Sequence, residues 1–259
     1  RKKMKNNLWK LMLVLVANFL LITACDEESL NNTETDSNAA VDNAITERVV
    51  GDVFSAVNSG MDVKKGVVSC PSATYDYETN LLTLDYGTGC VGADGVTRSG
   101  IIKATFTDYD GWLDGTTAVV SFEDYFVDGR ELTGVVTITS HVIEQTVSFT
   151  IEATEMSLIF SDETSVTWSA TNIMTLVKVE ETGKFWKING EAQGISRKGI
   201  NFTRTAVDLL TDPTCKWFVG GTLTFTSENS TDVITFGECG SVTLKHNNFP
   251  AIPFDLNLI

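Results

Sequence analysis

The feature that most constrains this chain is a long series of segments in which apolar and polar residues alternate, running from Val67 towards the C-terminus. These segments are rich in Thr, Val, Ile and aromatic residues, which favour pleated strands. Their apolar residues fall on alternate positions, and the clearest sets are Ala118, Val120, Phe122 and Phe126; Leu132, Val136 and Ile138; Val147, Phe149 and Ile151; and Val166, Trp168 and Ala170. The pattern predicts antiparallel strands with one face against a core and the other in water.

Residue pairs suited to tight turns separate these segments. They are Asp94-Gly95, Asp114-Gly115, Asp128-Gly129, Thr182-Gly183 and Lys198-Gly199. About a dozen strands at this spacing predict an all-β domain over residues 61–259, built as a large antiparallel meander. Such a sheet hides its apolar face by closing into a barrel, by folding into a sandwich or by curling as an open sheet around a helix, and the sequence leaves these alternatives open.

One helix is predicted before the strands, over residues 39–60. Its apolar residues recur at every fourth position, at Val41, Ile45, Val49, Val53 and Val57, with Val50 and Phe54 beside them. This spacing gives a helix one apolar face, and Gly60 is suited to end it. We therefore expect an amphipathic helix that packs on the β domain.

Residues 1–24 have the order of a bacterial lipoprotein signal peptide. Five basic residues, all within the first ten, precede an apolar run from Leu11 to Ile22 that only Asn18 interrupts. The run is too short to span a bilayer, which takes about 20 apolar residues. Small residues then precede Cys25, so we expect cleavage before this cysteine, a diacylglycerol on its thiol and a further acyl chain, such as palmitate, on its new amine. Two or more acyl chains hold a protein stably on a membrane.

The residues after Cys25 predict where the protein is displayed. The acidic cluster Asp26, Glu27 and Glu28 resembles the export signal by which Bacteroidota lipoproteins reach the outer face of the outer membrane. In other Gram-negative lineages an Asp after the cysteine favours retention at the inner membrane, so a periplasmic location stays an alternative to the cell surface. Ser29 to Asn38 is polar apart from Leu30, and we expect residues 25–38 to form a flexible tether.

The charge of the chain excludes some partners. The signal peptide holds five of the 19 basic residues, which leaves 14 Lys and Arg against 34 Asp and Glu after it, a net charge of −20. Nucleic acid is excluded as a partner, because such binding depends on basic residues that neutralise phosphates. Anionic lipid head groups are disfavoured for the same reason, so the covalent lipid on Cys25 is the expected membrane contact.

Four cysteines remain besides Cys25, an even number that indicates disulfides in an exported protein. They are Cys70, Cys90, Cys215 and Cys239. Three pairings are possible, and we favour Cys70 with Cys90 and Cys215 with Cys239, because each pair brackets one expected hairpin and the two brackets look alike. A four-thiolate zinc site is disfavoured, since its cysteines are usually two to four residues apart.

Two motifs invite a ligand-binding interpretation. Gly87 to Gly92 has the glycine spacing of a dinucleotide-binding turn, but the turn Asp94-Gly95 follows where such a site needs the N-terminus of a helix. Asp108, Asp110 and Asp114 form a weak calcium candidate, since Ca²⁺ takes clustered carboxylates on glycine-shaped loops. An acidic turn between strands is the preferred interpretation, so we predict no cofactor and no metal.

Residues for catalysis are scarce. His141 and His246 are the two histidines, and neither lies beside a recognisable nucleophile motif. Glu123 and Asp124 are adjacent, so a regular strand would point them to opposite faces. We therefore expect a protein that is not an enzyme.

The two cysteine brackets carry a resemblance to known proteins. Asp85-Tyr86-Gly87-Thr88-Gly89-Cys90 is similar to Thr235-Phe236-Gly237-Glu238-Cys239. Together with the loop Asp94 to Gly100, these segments resemble parts of uncharacterised lipoproteins of the outer membrane or surface of Flavobacteria-like Bacteroidota. The resemblance covers most of the chain after Cys25 and implies no known activity.

Two functions are compatible with these features. The first is a non-enzymatic lipoprotein, anchored to the outer membrane, that binds a protein or glycan or has a structural role. The alternative is a carrier of lipid or another apolar ligand, in which the curled sheet leaves a cavity and the helix of residues 39–60 acts as its plug. This alternative rests on an analogy with half-barrel lipoprotein carriers.

Overall fold

The computed structural model describes residues 28–61, 70–108, 111–144, 146–180, 183–228 and 230–256. Cys25, Asp26 and Glu27 therefore lie outside the described residues, as does the signal peptide. Within these ranges, one helix, α1 (Glu28–Gly60), precedes fourteen strands. The strands are β1 (Ser72–Asp76), β2 (Leu81–Asp85), β3 (Cys90–Val91), β4 (Thr97–Phe106), β5 (Thr117–Val127), β6 (Arg130–Ile143), β7 (Thr146–Ile159), β8 (Ser165–Glu180), β9 (Gly183–Ile195), β10 (Asn201–Leu210), β11 (Thr222–Ser227), β12 (Thr231–Phe236), β13 (Val242–His246) and β14 (Ile252–Pro253).

The strands form one antiparallel sheet in which neighbours in sequence are neighbours in space. The order is β1-β2-β4 and then consecutively to β14, with the short β3 paired to β4. The sheet is curled and open, since among the described residues β1 and β14 each pair on one side only. The predicted all-β meander after one helix is thus confirmed, and the open curled sheet is the alternative that the chain adopts.

The alternation of buried and exposed residues follows the prediction in β6, β7 and β8, where Leu132, Ile151 and Val166 are all buried. It fails in the second half of β5. The pairing of β5 with β6 shifts register between Val120 and Phe126, and Asp124 there has a φ of 44°. This bulge inverts the alternation. Tyr125 and Val127 are therefore buried, whereas Phe126, which the sequence predicts on the core face, is not part of the buried core.

Residues 39–60 of α1 fill the space inside the curl. Its predicted apolar residues are buried, and the ring of Phe54 lies 4.9 Å from the ring centroids of both Phe149 and Trp186. Near its C-terminus, a Cβ atom at Gly60 would lie 2.7 Å from Leu84 Cδ2, so the helix approaches β2 too closely for a larger residue. Burial of this many apolar side chains is the main source of stability in such a fold.

The polar side of α1 is buried as well, because the sheet curls around it. Glu47 Oε2 lies 2.6 Å from Nη2 of Arg204 on β10, and Asn172 Nδ2 on β8 donates to Glu47 Oε1 at 2.8 Å. Arg204 Nη1 also donates to Thr46 Oγ1 at 2.5 Å and to the carbonyl oxygen of Asn43 at 3.1 Å. These bonds compensate for the cost of burying charge. The helix is therefore an internal element, whereas an amphipathic helix on a domain surface would have a solvated face.

A second set of charges holds the N-terminal part of this buried helix. Arg197, in the β9–β10 turn, lies 3.5 Å from Asp42 and 2.7 Å from Asp162, and its guanidinium lies 4.1 Å from the ring centroid of Phe160. Burial raises the pKa of Asp42 to about 6, although the nearby Arg197 charge opposes the shift.

The contacts group Asn38–Ile259 into one compact unit. The helix begins at Glu28, eleven residues before the predicted start at Ala39. Residues 28–38 are thus helical in this structure, and the flexibility expected of the tether stays a prediction.

Candidate functional site

One cleft brings together parts of the chain that are far apart in sequence. It has a volume of about 320 Å³ and is lined by the C-terminal half of α1, by the connection from β2 to β4, by the start of β9 and by the β10–β11 loop. Cys70, Cys90 and Cys215 all contribute to its walls. We call it the disulfide cleft.

The two disulfides are those favoured by the sequence. Cys70 is bonded to Cys90 and Cys215 to Cys239, with Cα atoms 6.2 Å and 5.6 Å apart. The first disulfide fixes the connection that leads into β4, and the second fixes the β10–β11 loop. The two similar sequence brackets therefore supply two different walls of the same cleft.

Four charged residues form an ion-paired group at the cleft, which we call the charge quartet: Arg48, Asp52, Asp94 and Arg98. The Nη2 atom of Arg48 lies 3.1 Å from Asp52 Oδ2 and 2.9 Å from Asp94 Oδ2. The Nη2 atom of Arg98 lies 2.9 Å from Asp52 Oδ2 and 2.7 Å from Asp94 Oδ2. Each guanidinium thus bridges both carboxylates, and the quartet joins α1 to β4 and the turn before it.

The ion pairs hold Asp94 and Arg98 in their charged forms. Burial raises the pKa of Asp94, but hydrogen bonds and the charge of Arg98 outweigh this effect and hold that pKa below its ordinary value. Burial likewise lowers the pKa of Arg98, and the charges of Asp52 and Asp94 outweigh it, so the net shift is upward. Beside them, burial raises the pKa of Tyr86 to about 12, so its hydroxyl, which is protonated at neutral pH even at the ordinary pKa of about 10, stays protonated to higher pH. The cleft is therefore a fixed array of charges and donors.

Gly92 makes room for the quartet. A Cβ atom at this position would lie 2.5 Å from Asp94 Oδ1 and 2.8 Å from Arg98 Nη1. Cys90 and Gly92, at the end of the glycine-rich segment, line a wall of the cleft, and a turn and β4 follow them.

The β10–β11 loop closes the opposite side and carries aromatic groups. Trp217 lies on this loop, with the Arg48 guanidinium 5.8 Å from its ring centroid, and Trp186 on β9 also lines the cleft. Lys216 Nζ lies 3.0 Å from Asp128 Oδ2 in the β5–β6 turn. Asp128 also accepts a hydrogen bond from the Thr97 backbone N–H at 3.0 Å, so the loop is tied across to β4 and β5.

The quartet residues are not among the residues predicted to form a site. A signal exists in the sequence, because polar residues recur at Arg48, Asp52, Ser55 and Ser59 on the side of the helix that the valines leave free. Nothing in the sequence pairs this stripe with Arg98, which lies 46 residues beyond Asp52. That pairing follows from the way the sheet curls.

The calcium candidate is only partly described, since Asp110 lies outside the described residues. Asp114 Oδ1 accepts a hydrogen bond from the Val142 backbone N–H at 3.1 Å, so this carboxylate fixes the β4–β5 loop to β6. Asp108 precedes the undescribed part of the same loop. Within the described ranges, no three His, Cys, Asp or Glu residues are grouped so that they could hold a metal ion.

The two histidines lie on other parts of the sheet. His141 Nε2 is 2.9 Å from Thr150 Oγ1, which links β6 to β7. His246 Nδ1, on β13, is 2.7 Å from Oδ1 of the buried Asp232 on β12. The adjacent carboxylates Glu123 and Asp124 also lie apart from the cleft, and Glu123 Oε1 pairs with Lys103 Nζ at 2.5 Å.

In the part of the chain that the structure describes, no helix has the length and apolar character needed to cross a membrane. Comparisons of the chain with protein-family models, with curated proteins and with solved structures find no match.

Proposed function

We propose that this protein is a non-enzymatic lipoprotein, anchored to the outer membrane through lipid on Cys25, whose β domain binds a ligand in the disulfide cleft. The signal peptide and the acidic cluster from Asp26 to Glu28 support the anchor and its location. The cleft supports the binding role.

The observation that carries the binding role is the contrast between the cleft and the rest of the interior. Elsewhere inside the curl, α1 and the core side chains pack together, as Phe54 does with Phe149. At the cleft, the polar side of α1 instead faces a space of about 320 Å³. Sites for small ligands have volumes of roughly 300–1,000 Å³ and a few fixed polar groups, so the cleft is suited to this use.

The state of the charged groups favours binding over catalysis. A general acid at neutral pH needs a carboxyl group whose pKa is raised towards 7. At Asp94 the pKa is instead lowered, because Arg98 holds the carboxylate in its ionised form. Arg48 and Arg98 are in turn held by Asp52 and Asp94, so the groups of the quartet orient one another and are suited to holding a ligand.

The filled interior weighs against the carrier alternative. A lipid carrier needs an apolar cavity wide enough for an acyl chain, and in this fold α1 takes that space with buried residues such as Val49, Val53 and Val57. The cleft itself has charged groups in its walls, which disfavour an acyl chain.

Native mass spectrometry of the protein extracted from membranes tests this proposal. We expect the mass of the chain from Cys25 to Ile259 with its covalent acyl groups and no further lipid. A Cys25→Ala variant expressed without the signal peptide serves as the control that lacks the anchor. A stoichiometric non-covalent lipid on both proteins would contradict the binding role and favour the carrier.

A further inference from the structure

The disulfide cleft has two chemically different sides. Its helical side presents Arg48, Asp52, Ser55, Asn58 and Ser59, which all line the cleft. Arg48, Asp52, Ser55 and Ser59 lie three or four residues apart in turn, which places them on one side of α1, and Asn58 lies three residues after Ser55. This side therefore offers a guanidinium, a carboxylate, an amide and two hydroxyl groups within a short length of helix.

The other side contributes apolar surface. Trp186, Trp217 and Phe218 line the cleft from β9 and the β10–β11 loop. Indole rings combine a large apolar surface with one N–H donor, so they contact ligands that have both apolar and polar faces. Trp186 and Trp217 are 3% and 6% exposed, so a ligand in the cleft meets polar groups of α1 on one side and the edges of these indole rings on the other.

The electrostatics of the cleft favour an uncharged ligand. The two positive and two negative charges of the quartet balance, and each is already paired with an opposite charge at 2.7–3.1 Å. The surrounding chain after residue 24 has a net charge of −20, which repels anionic ligands at long range. An anion would therefore have to displace Asp52 or Asp94 from its arginine partners.

A neutral saccharide has the chemistry that matches this cleft. Its neighbouring hydroxyl groups both donate and accept hydrogen bonds. Two adjacent hydroxyl groups can therefore donate to a carboxylate, and two others can accept from a guanidinium that remains ion-paired with that carboxylate. The C–H groups of a sugar ring supply an apolar face for an indole. An extended peptide instead needs a free strand edge or apolar side-chain pockets, and the helical side of the cleft provides neither.

We propose that the disulfide cleft binds a neutral monosaccharide unit, either free or within an oligosaccharide. This inference rests on the proposed function and names its ligand class. Asp52, Asp94 and Arg98 contact the sugar hydroxyl groups, and the exposed edges of Trp186 and Trp217 contact the C–H groups of the sugar ring. The two disulfides hold the walls at the required separation before the ligand binds.

Tryptophan fluorescence of the domain tests this inference, because Trp186 and Trp217 line the cleft. The probes are glucose, galactose, mannose, xylose and N-acetylglucosamine and their neutral oligosaccharides, with glucuronic acid as the anionic comparison. We expect at least one neutral saccharide to change the emission in a saturable way. No saturable change with any neutral saccharide at millimolar concentration, or a response to glucuronic acid alone, would overturn the inference.

A blocking variant ties the binding to the cleft. Ser55→Phe places a ring in the cleft from a partly exposed position of α1, and we expect saccharide affinity to fall by about tenfold or more. Ser121→Phe, on the exposed face of β5, is the matched control and should bind like the parent. Circular dichroism and thermal melting establish that both variants fold. Undiminished binding by a folded Ser55→Phe variant would place the saccharide elsewhere and overturn the inference.

A second variant gives an independent readout. Trp217→Phe should remove a large part of the fluorescence response while isothermal titration still detects weakened binding; an unchanged fluorescence response contradicts the placement of the saccharide beside Trp217.

Failure of this inference is distinguishable from failure of the proposed function. A protein that is lipidated on Cys25 and carries no non-covalent lipid, yet binds no neutral saccharide, overturns the ligand class and leaves the anchor and the filled interior in place.

Discussion

Arg204 on β10 and Glu47 on α1 form an ion pair at 2.6 Å, and each side chain is only 1% exposed. The two residues are 157 positions apart in sequence, and their ion pair joins the internal helix to the sheet around it. Asn172 binds the second carboxylate oxygen of Glu47 at 2.8 Å. The helix is thus fixed in rotation and depth by directional bonds in addition to apolar packing.

Removing one member of this pair should destabilise the domain strongly. Glu47→Gln leaves the Arg204 guanidinium buried without its counter-charge, and we expect a loss of about 3–5 kcal/mol in the free energy of unfolding. The double variant Glu47→Leu with Arg204→Met, in which both charges are absent, should recover much of this loss. Urea denaturation measures the free energy of unfolding of the parent, of Glu47→Gln, of the two single variants Glu47→Leu and Arg204→Met, and of the double variant. Additive losses would mean that the two charges do not depend on each other.

Asp42 should make stability depend on pH in an unusual direction. Its side chain is 4% exposed, and burial raises its pKa from 3.8 to about 6 despite Arg197. The folded state then holds the proton more tightly than the unfolded state between these pH values, so stability falls as pH rises from about 4 to 6. Asp42→Asn should therefore be more stable than the parent at pH 7, by at most about 3 kcal/mol, and the advantage should vanish near pH 4.

Asp162 provides the matched control, because it also pairs with Arg197 but is exposed at the surface. Hydrogen bonds from Thr164 and the Arg197 charge lower the pKa of Asp162. Any stabilisation of the folded state by this carboxylate is therefore lost as pH falls. The measurement is chemical denaturation of the parent, Asp42→Asn and Asp162→Asn at pH 4, 5, 6 and 7. An advantage of Asp42→Asn that does not vary with pH contradicts the raised pKa.

The two disulfides should each stabilise the domain. Closing loops with sequence separations of 20 and 24 residues restricts the unfolded chain and contributes about 3 kcal/mol per bond. Replacing Cys215 and Cys239 together with serine should lower the free energy of unfolding by this amount and widen the cleft. Peptide mapping without reduction should recover Cys70 linked to Cys90 and Cys215 linked to Cys239. A cross-link between the two brackets would contradict the structure of the cleft walls.

Asp114 should act as a turn residue, independently of calcium. Asp114→Ala removes the acceptor for the Val142 N–H group, 3.1 Å away at the surface, and we expect a cost of about 0.5–1.5 kcal/mol, because water can replace the carboxylate. Thermal melts of the parent and the variant, each with millimolar calcium and with a chelator, separate the two interpretations. A midpoint of the parent that rises with calcium, and a rise that Asp114→Ala abolishes, would favour the calcium site.

Local patterns in the sequence are sufficient to predict the strands, the turns and the apolar side of α1. Periods of two and four residues depend on neighbours in the chain, so Ile151 and Val53 can be assigned to the core without a structure. The inversion at Tyr125 cannot, because it arises from a bulge that depends on how β5 pairs with β4 and β6.

The candidate site depends still more on long-range pairing. Cysteines are few, so the pairing of Cys70 with Cys90 and of Cys215 with Cys239 can be favoured from spacing alone. Arg48 and Asp94 are 46 residues apart. The sequence does not distinguish Asp94 from the many other acidic residues of the chain as the ion-pair partner of Arg48. Only the curl of the sheet around α1 selects this partner.

The central claim is that a lipid on Cys25 anchors this binding domain at the cell surface. Protease treatment of intact cells of a Bacteroidota host, followed by membrane fractionation, tests it most directly. We predict that added protease degrades the parent, that a labelled fatty acid is incorporated into the parent and not into Cys25→Ala, and that the variant with alanine at positions 26, 27 and 28 stays in the membrane fraction but is protected. A parent protein that is protected in intact cells, or a Cys25→Ala variant that incorporates the labelled fatty acid, would contradict the claim.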